Sequence, residues 1–249
     1  MDSLIEIRPV PSPRITLVCL PFAGGGTSAF HDWPRDLPGD VAIWAARPPG
    51  RESRLFEPAH RGAEAVVADL LPPLIPLTRG PYVVFGHSMG ALLGYELVRA
   101  LRARRLPEPA HLVVSGHEAP HLGSHRGDLH RLPDELLIAK LRHYGATPPE
   151  LLDEPELLEH FLPSIRADFA VVETYEHAAG PPLGCPVTAF RGEADQDVTA
   201  EGCLAWAGLT LGGFRSAALP GGHFYDETGR RALLAGLRSL LTDGVPARA

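Results

Sequence analysis

The sequence predicts an α/β fold, with a mostly parallel central sheet flanked by helices and a helical insertion. Three observations support this fold class. Short apolar runs rich in β-branched residues alternate with amphipathic stretches of helical period along most of the chain. The 249 residues suit one large domain. The alternation stops over residues 122–177, where helical patterns dominate, and then resumes.

The individual elements follow from this pattern. Strands are predicted over residues 14–20, 41–45, 82–85, 111–116, 186–191 and 214–219. Helices are predicted over residues 63–71, 89–104, 134–144, 156–175, 199–206 and 228–241. Because proline lacks the N–H group that a helix interior needs, Pro72 should end the first helix and Pro163 should break the fourth. Thr199 is the expected N-cap of the fifth.

The composition argues against nucleic-acid and membrane partners. The net charge is −7, so a basic surface for nucleic acid is not expected. No apolar run approaches the roughly 20 residues of a membrane helix, and the N-terminus has no signal-peptide pattern. Cys19, Cys185 and Cys203 stand apart in apolar surroundings, which is typical of reduced core residues in a cytoplasmic protein.

The segment Gly86-His87-Ser88-Met89-Gly90 fits the G-x-S-x-G pattern of a nucleophile elbow. It lies between a predicted strand and a predicted helix, as an elbow requires. Side chains at Gly86 and Gly90 would collide with neighbouring backbone in so tight a turn. Ser88 would then present its hydroxyl at the tip, in front of a helix N-terminus that can stabilise an oxyanion. The alternative is a glycine-rich turn without a catalytic role.

A second glycine-rich segment, residues 21–27, follows the first predicted strand. It lacks both the Gly-Lys-Ser/Thr and the G-x-G-x-x-G pattern, which argues against a nucleotide site. In folds with a nucleophile elbow, a loop after an early strand supplies the second oxyanion N–H group. We therefore predict that the N–H groups of Ala23 and Met89 form the oxyanion hole. The alternative is an ordinary tight connection between a strand and a helix.

The remaining catalytic groups follow later strands. Ser88, Asp195 and His223 occur in the chain order of the α/β-hydrolase fold, and each comes just after a predicted strand. A serine is a weak nucleophile until a neutral imidazole takes its proton, and an aspartate fixes the imidazole tautomer. Asp197 is the competing acid, but Asp195 lies nearer to the end of its strand. We therefore predict a triad of Ser88, Asp195 and His223.

A metal site was considered as an alternative use of the histidines. Four of them lie close together in the sequence, but Pro120, Gly123 and Gly127 prevent a shared helix face and no cysteine joins them. Neither a metal nor an organic cofactor is therefore expected. The four histidines are His117, His121, His125 and His130.

At this point the chain resembles a known family, the discrete type II thioesterases of polyketide and nonribosomal peptide assembly lines. The resemblance covers nearly the whole chain, and it rests on the combination of motifs more than on the elbow, which many hydrolases share. Phe22 departs from the His or Tyr that is commoner in the family, and Pro48 departs from a commoner Leu. The matching segments are residues 20–26, 49–54, 86–91, 165–168, 195–198 and 221–224, with Glu173, Tyr175 and Trp206.

The resemblance implies hydrolysis of acyl thioesters on the phosphopantetheine arm of an acyl or peptidyl carrier protein, by a monomeric enzyme that clears stalled or aberrant groups. Independently of the resemblance, the interrupted alternation over residues 122–177 predicts a helical lid inserted into the sheet domain, which should lie over Ser88. The alternatives are a chain-releasing thioesterase, a general esterase of the same fold, or a catalytically inactive chaperone that binds carrier proteins. The intact triad argues against the last of these.

Charged residues suggest how a carrier would be received. Arg51 and Arg54 follow a strand on the expected side of the site, so we predict that they bind the carrier or the phosphate of its arm, with Phe22 in the pocket wall. Arg166 and Asp168 either shape the substrate entrance or form a salt bridge that holds the lid, and the structural role is favoured. The arginines that end the elbow helix are expected to be solvated.

Overall fold

The computed structural model describes residues 3–123, 127–145 and 154–243 of the chain. Within these residues, seven strands form one sheet in the order β1-β3-β2-β4-β5-β6-β7. All neighbouring pairs are parallel except β1 and β3, which are antiparallel. The strands are β1 (Leu4–Arg8), β2 (Ile15–Leu20), β3 (Val41–Ala46), β4 (Tyr82–His87), β5 (His111–Ser115), β6 (Val187–Gly192) and β7 (Phe214–Leu219).

The sequence predictions of six strands and of a mostly parallel sheet are confirmed. The prediction missed β1, an edge strand in which only Leu4 is buried and polar residues interrupt the apolar pattern. The helices are α1 (Ala63–Leu74), α2 (Met89–Ala103), α3 (Asp134–Tyr144), α4 (Pro155–Glu173), α5 (Ala200–Leu204) and α6 (Glu227–Asp243). Thr199 caps α5 as predicted, since its hydroxyl accepts a hydrogen bond from the Gly202 N–H group.

Two predicted helix breaks at proline are wrong. Helix α1 runs through Pro72 and Pro73 to Leu74, and α4 runs through Pro163. At Pro73 the structure shows how the missing N–H group is replaced. The carbonyl of Asp69, four residues earlier, accepts a hydrogen bond of 2.7 Å from the hydroxyl of Ser3. A side chain next to β1 therefore satisfies the acceptor that proline would leave unpaired.

The core lies in two layers, one on each face of the sheet. Tyr82 and Val84 of β4 pack in a layer with α1 and α2. Val83 and Phe85, which alternate with them, pack on the opposite face with α6. Both faces of β4 are therefore buried, which accounts for its continuous apolar run.

Helices α3 and α4 belong to the helical insert, the name used below for residues 122–177. They share a separate apolar cluster that also touches Ala23 of the glycine-rich loop. The carboxylate of Glu173 accepts hydrogen bonds from the N–H groups of Leu129 and His130 and from the His130 ring. The insert therefore has its own packing as well as contact with the sheet domain. The cluster consists of Leu129, Leu137, Leu141, Leu158, Leu162, Ile165 and Phe169.

A buried histidine lies at the start of β5, far from the elbow in the strand register. The Nε2 atom of His111 is 2.8 Å from the hydroxyl oxygen of Thr188 on β6. Burial, together with the nearby Arg215 charge, lowers the pKa of His111 from 6.5 to about 4. The ring is therefore neutral in the folded protein at neutral pH.

This histidine makes the free energy of unfolding depend on pH. Between about pH 6.5 and pH 4 the unfolded chain binds a proton at His111 that the folded chain does not, so stability falls as the pH is lowered. When the pH is lowered over this range, the free energy of unfolding of His111→Gln, measured by urea denaturation, should fall by about 1–3 kcal/mol less than that of the wild type. His160→Gln, a change at an exposed histidine, is the control and should match the wild type. Equal pH dependence of all three proteins would contradict this role.

Candidate active site

Ser88 connects β4 to α2 in a strained backbone conformation. Its φ is +55° and its ψ is −117°, backbone angles that residues other than glycine rarely adopt. A Cβ atom at Gly86 would lie 2.0 Å from the carbonyl oxygen of Gly90, and one at Gly90 would lie 2.1 Å from that of Leu20. The steric reason predicted for both glycines of the elbow is therefore confirmed.

The structure brings the three predicted triad residues together. The Nε2 atom of His223 lies 3.0 Å from Ser88 Oγ, and its Nδ1 atom lies 3.0 Å from Asp195 Oδ2. The Asp195 side chain is fully buried, and that of His223 is 9% exposed. These distances match a nucleophile, a base and an orienting acid in sequence. The geometry is consistent with the assigned roles, which stay predictions.

Loops at the ends of adjacent strands position the acid and the base. Asp195 follows β6 and His223 follows β7, and the two loops are joined by a hydrogen bond of 2.9 Å from the Ala194 N–H group to the Gly221 carbonyl. A Cβ atom at Gly192 would lie 2.2 Å from the Gly222 carbonyl oxygen. This close approach of the two backbones sets the distance between the acid and the base.

Asp197, the competing acid, contributes a hydrogen bond that orients Asp195. The backbone N–H group of Asp197 donates a hydrogen bond of 2.9 Å to Asp195 Oδ1, while Asp195 Oδ2 faces His223. Each carboxylate oxygen of Asp195 therefore has a different partner. This arrangement fixes the plane of the carboxylate against the imidazole.

Ser115 and Tyr225, which the sequence did not indicate, lie next to His87 of the elbow. The ring of His87 points to Ser115, with Nδ1 3.0 Å from the hydroxyl oxygen. The same hydroxyl lies 2.8 Å from the phenol oxygen of Tyr225, and burial raises the pKa of Tyr225. No local pattern identifies this group, because its members come from β4, β5 and the loop after β7.

Aromatic rings surround His223, the predicted base. The ring centroids of Phe22 and Phe224 are 4.7 Å apart, and Phe224 makes an edge contact with His223 at 5.1 Å. Tyr144, at the end of α3, lies 6.0 Å from the His223 ring. The helical insert therefore contributes a ring directly beside the base, and Phe22 is in the wall of the site.

The two predicted oxyanion donors lie on either side of the elbow. Met89 is the first residue of α2, so its N–H group is at a helix N-terminus. Ala23 is in a turn closed by a hydrogen bond of 2.9 Å from the Gly25 N–H group to the Phe22 carbonyl. Their role as oxyanion donors stays a prediction.

The arginines predicted to receive a carrier are buried. The side chain of Arg51 is 6% exposed and its Nη2 atom lies 2.7 Å from Asp168 Oδ2. Arg54 is equally buried and pairs with Asp69 at 2.6 Å and with Glu57 at 2.7 Å. Since both guanidinium groups have partners within the chain, direct contact with a carrier would require this loop to rearrange.

The expected salt bridge between Arg166 and Asp168 is absent. Residues two apart on a helix point in different directions. Arg166 instead contacts the Asp134 carboxylate and donates to the His130 carbonyl, within the insert. Asp168 faces the sheet domain, where it meets Arg51. The structural role favoured for both residues is supported, with different partners from those expected.

The histidines considered as metal ligands have separate partners. His117 Nδ1 is 2.6 Å from the Glu118 carbonyl, His121 makes a ring contact with His177, and His130 pairs with Glu173. His125 lies outside the described residues. Among the described residues, the side chains of Asp195, Asp197 and His223 lie close enough together to hold a metal ion, but they already form the hydrogen-bonded set around Ser88.

A serine lies on a sharp turn between a strand and a helix, and an aspartate and a histidine follow it at the ends of later parallel strands. This arrangement defines the α/β-hydrolase fold. Within it, a family model described as "Thioesterase domain" matches residues 15–239, and the chain belongs to this family of enzymes. The chain is a thioesterase. None of the helices in the described residues is long and apolar enough to cross a membrane.

Similar proteins come from peptide and polyketide biosynthesis. Gramicidin S biosynthesis protein GrsT of Aneurinibacillus migulanus is 38% identical over 212 residues, which cover 85% of this chain and 83% of GrsT. The structure of the RedJ thioesterase from the prodiginine pathway of Streptomyces coelicolor has a TM-score of 0.85 at 39% identity, and the match covers 93% of this chain and 91% of RedJ. The type II thioesterase BorB from the borrelidin cluster has a TM-score of 0.84 at 34% identity, covering 96% and 97%.

The backbone strain at Ser88 predicts how substitutions there affect stability. Holding a residue other than glycine at such angles costs about 1–3 kcal/mol. Glycine avoids this cost, but it loses more conformational entropy on folding, which cancels part of the advantage. We expect Ser88→Gly to be about 0.5–2 kcal/mol more stable than Ser88→Ala in urea denaturation. Both variants lack the nucleophile, so they differ only in the Cβ atom. A glycine variant no more stable than the alanine variant would show that the turn is relaxed.

The hydrogen bonds of Asp195 predict unequal effects at the two acids. Asp195→Asn should lower kcat by about 10⁴, because the amide no longer enforces the imidazole tautomer. Asp197→Asn should stay within about tenfold of the wild type, since its contribution to Asp195 is a backbone N–H group. Steady-state hydrolysis of a soluble acyl thioester measures both. The opposite order would assign the acid to Asp197.

Proposed function

We propose that this thioesterase hydrolyses acyl groups from the phosphopantetheine arm of acyl or peptidyl carrier proteins, and so clears stalled or aberrant intermediates. The observation that carries the proposal is the position of the His223 ring in a chain of this family. Its Nε2 atom lies 3.0 Å from Ser88 Oγ, and its Nδ1 atom lies 3.0 Å from Asp195 Oδ2. The similar proteins, which include a gramicidin S biosynthesis protein and type II thioesterases, support the carrier-bound substrate.

The proposed reaction has two stages. His223 Nε2 takes the proton of Ser88 as Oγ attacks the thioester carbonyl carbon, and the N–H groups of Met89 and Ala23 stabilise the oxyanion. Collapse of this intermediate releases the thiol of the carrier arm, which receives the proton from His223. Water then attacks the acyl-enzyme with His223 as base, and the free acid leaves. Asp195 stabilises the imidazolium in both stages.

The helical insert serves as a lid in this proposal. Tyr144 of α3 lies beside His223, and the apolar cluster of the insert touches Ala23. An acyl chain attached to Ser88 would therefore meet the rings of Phe22, Phe224 and Tyr144. All three rings are partly buried, and in this proposal they together contact the bound acyl chain.

The enzyme is proposed to act as a monomer in the cytoplasm. Cys19, Cys185 and Cys203 are free and buried, and burial raises the pKa of Cys185 to about 12 and that of Cys203 to about 11. These thiols stay protonated and unreactive, which suits a reducing compartment. The alternative functions, chain release and general ester hydrolysis, use the same three residues and differ in substrate.

A comparison of substrates tests the proposal. The wild type should release free acid from an acyl carrier protein, with kcat/KM at least tenfold above that for the same acyl group on a simple alcohol ester. Ser88→Ala should lose about 10⁴–10⁶ in kcat. Hydrolysis of the ester alone would indicate a general esterase, and turnover of Ser88→Ala near the wild-type rate would exclude the triad.

Active-site labelling provides an independent control. A fluorophosphonate should modify Ser88 in the wild type and in Ser53→Ala, a change at an exposed serine, and should leave Ser88→Ala unmodified. Mass spectrometry of the peptides identifies the modified residue. Modification of another serine would contradict the assignment of the nucleophile.

A further inference from the structure

The turn that carries Ala23 has a defined shape. The Gly25 N–H group donates to the Phe22 carbonyl over 2.9 Å, and Gly24 has a φ of +79°. A four-residue turn with this hydrogen bond and a positive φ at its third residue is of type II. Type I and type II turns differ mainly in the orientation of the central peptide, which here joins Ala23 to Gly24. In a type I turn this peptide would point in the reverse direction.

Two charged side chains hold this turn from outside. Asp168 Oδ2 accepts a hydrogen bond of 2.7 Å from the Gly24 N–H group, and the same oxygen lies 2.7 Å from Arg51 Nη2. Arg51 Nη1 donates to the Gly25 carbonyl over 2.5 Å. Asp168 belongs to α4 of the helical insert, while Arg51 follows β3. The turn is therefore fixed by two separate parts of the chain.

The carboxylate selects one orientation of the central peptide. Reversal of the peptide would turn the Ala23 carbonyl oxygen, in place of the Gly24 N–H group, towards Asp168. Two negatively polarised oxygens would then meet in a buried site, where such a contact is costly. Type I and type II turns have the same φ at their second residue, so the direction of the Ala23 N–H group depends on the preceding peptide.

The second peptide is fixed in turn. The Phe22 carbonyl and the Ala23 N–H group lie on opposite sides of one planar unit. Because the carbonyl accepts from Gly25, the Ala23 N–H group points away from the interior of the turn. Arg51 stabilises the same arrangement by binding the Gly25 carbonyl. Together these contacts set the direction of the predicted oxyanion donor.

We propose that Asp168 and Arg51 are positioning residues, which hold the Phe22–Gly25 turn so that the Ala23 N–H group meets the oxyanion. Through Asp168, the insert helix α4 then takes part in catalysis without touching the substrate. This inference rests on the proposed serine mechanism and extends it to the insert. It also accounts for the burial of Arg51.

A simple cross-link between two segments would not need these groups. Asp168 is 3% exposed and Arg51 is 5% exposed, and the removal of both charges from water carries a large desolvation cost. Burial raises the pKa of the Asp168 carboxyl, although Arg51 and the Gly24 N–H group act in the opposite direction. Apolar side chains would join the segments at lower cost, but they would not select a peptide orientation.

The chain offers a matched control for this pair. Asp69 is also a carboxylate paired with an arginine of the same loop, Arg54, at 2.6 Å. Neither of these residues contacts the glycine-rich turn. Asp69→Asn therefore removes an ion pair of the same loop, at a carboxylate side chain that is 22% exposed against 5% for that of Asp168, while leaving the turn contacts intact.

The test compares Asp168→Asn, Asp168→Ala and Asp69→Asn as folded full-length proteins. Asparagine keeps an acceptor for the Gly24 N–H group, and alanine removes it. We expect kcat to fall about tenfold in Asp168→Asn and about 10²–10³-fold in Asp168→Ala, as for the loss of an oxyanion donor. KM should stay within about threefold in both, and Asp69→Asn should keep wild-type kinetics.

The rate of inactivation by a fluorophosphonate separates this inference from the proposed substrate. The reagent places an oxygen in the same oxyanion hole and needs no carrier protein. Its second-order rate constant should fall in parallel with kcat in the Asp168 variants. If the wild type reacts with the reagent but leaves carrier thioesters intact, the proposed function fails while the inference is still tested.

Two results would overturn the proposal. One is a kcat and an inactivation rate within twofold of the wild type in both Asp168 variants. The other is an equal loss in Asp69→Asn, which would indicate a general effect of disturbing the loop. If Asp168→Ala does not fold, Asp168→Asn and its tenfold loss carry the same comparison. Urea denaturation of each variant shows that the kinetics refer to folded protein.

Discussion

The close contact between the elbow and its neighbours is the constraint on which the site depends. Gly90 lies so near the Leu20 carbonyl that any side chain there would overlap it. The strained conformation of Ser88 is maintained by a hydrogen bond of 2.7 Å from its N–H group to the Ser115 carbonyl. Because β4 is buried on both faces, the surrounding packing opposes relaxation of this strain. The nucleophile is therefore held by the centre of the sheet.

The other catalytic groups use the same sheet edge with less strain. Asp195 and His223 lie on loops after β6 and β7, and the contact between Gly192 and Gly222 fixes their separation. The glycine-rich turn after β2 lies beyond the end of its strand, so the strand register does not fix it. Arg51 and Asp168, which also pair with each other, bind it through the Gly25 carbonyl and the Gly24 N–H group. The site thus combines groups set by strand register with one group set by buried charge.

The extent to which the sequence predicted the structure varies with the range of the interactions. Local patterns located the elbow turn and most of the helices, since apolar period and glycine spacing act over a few residues. They also indicated the three side chains, Ser88, Asp195 and His223, that the structure brings together. The partner of Arg51 was missed because Asp168 lies far away in the sequence. Continuation of α1 through Pro73 was also missed, since it depends on the distant hydroxyl of Ser3. Long-range polar contacts leave no local signal.

The contacts of α4 limit the ways in which the insert can move. Asp168 and Glu173 lie five residues apart, which corresponds to about 140° around the helix axis. One binds the sheet domain and the other binds the start of the insert. Rolling of the helix about its own axis would break both sets of contacts together. Because α3 packs on α4 through the shared apolar cluster, a rotation of α4 would also carry Tyr144 away from the His223 ring.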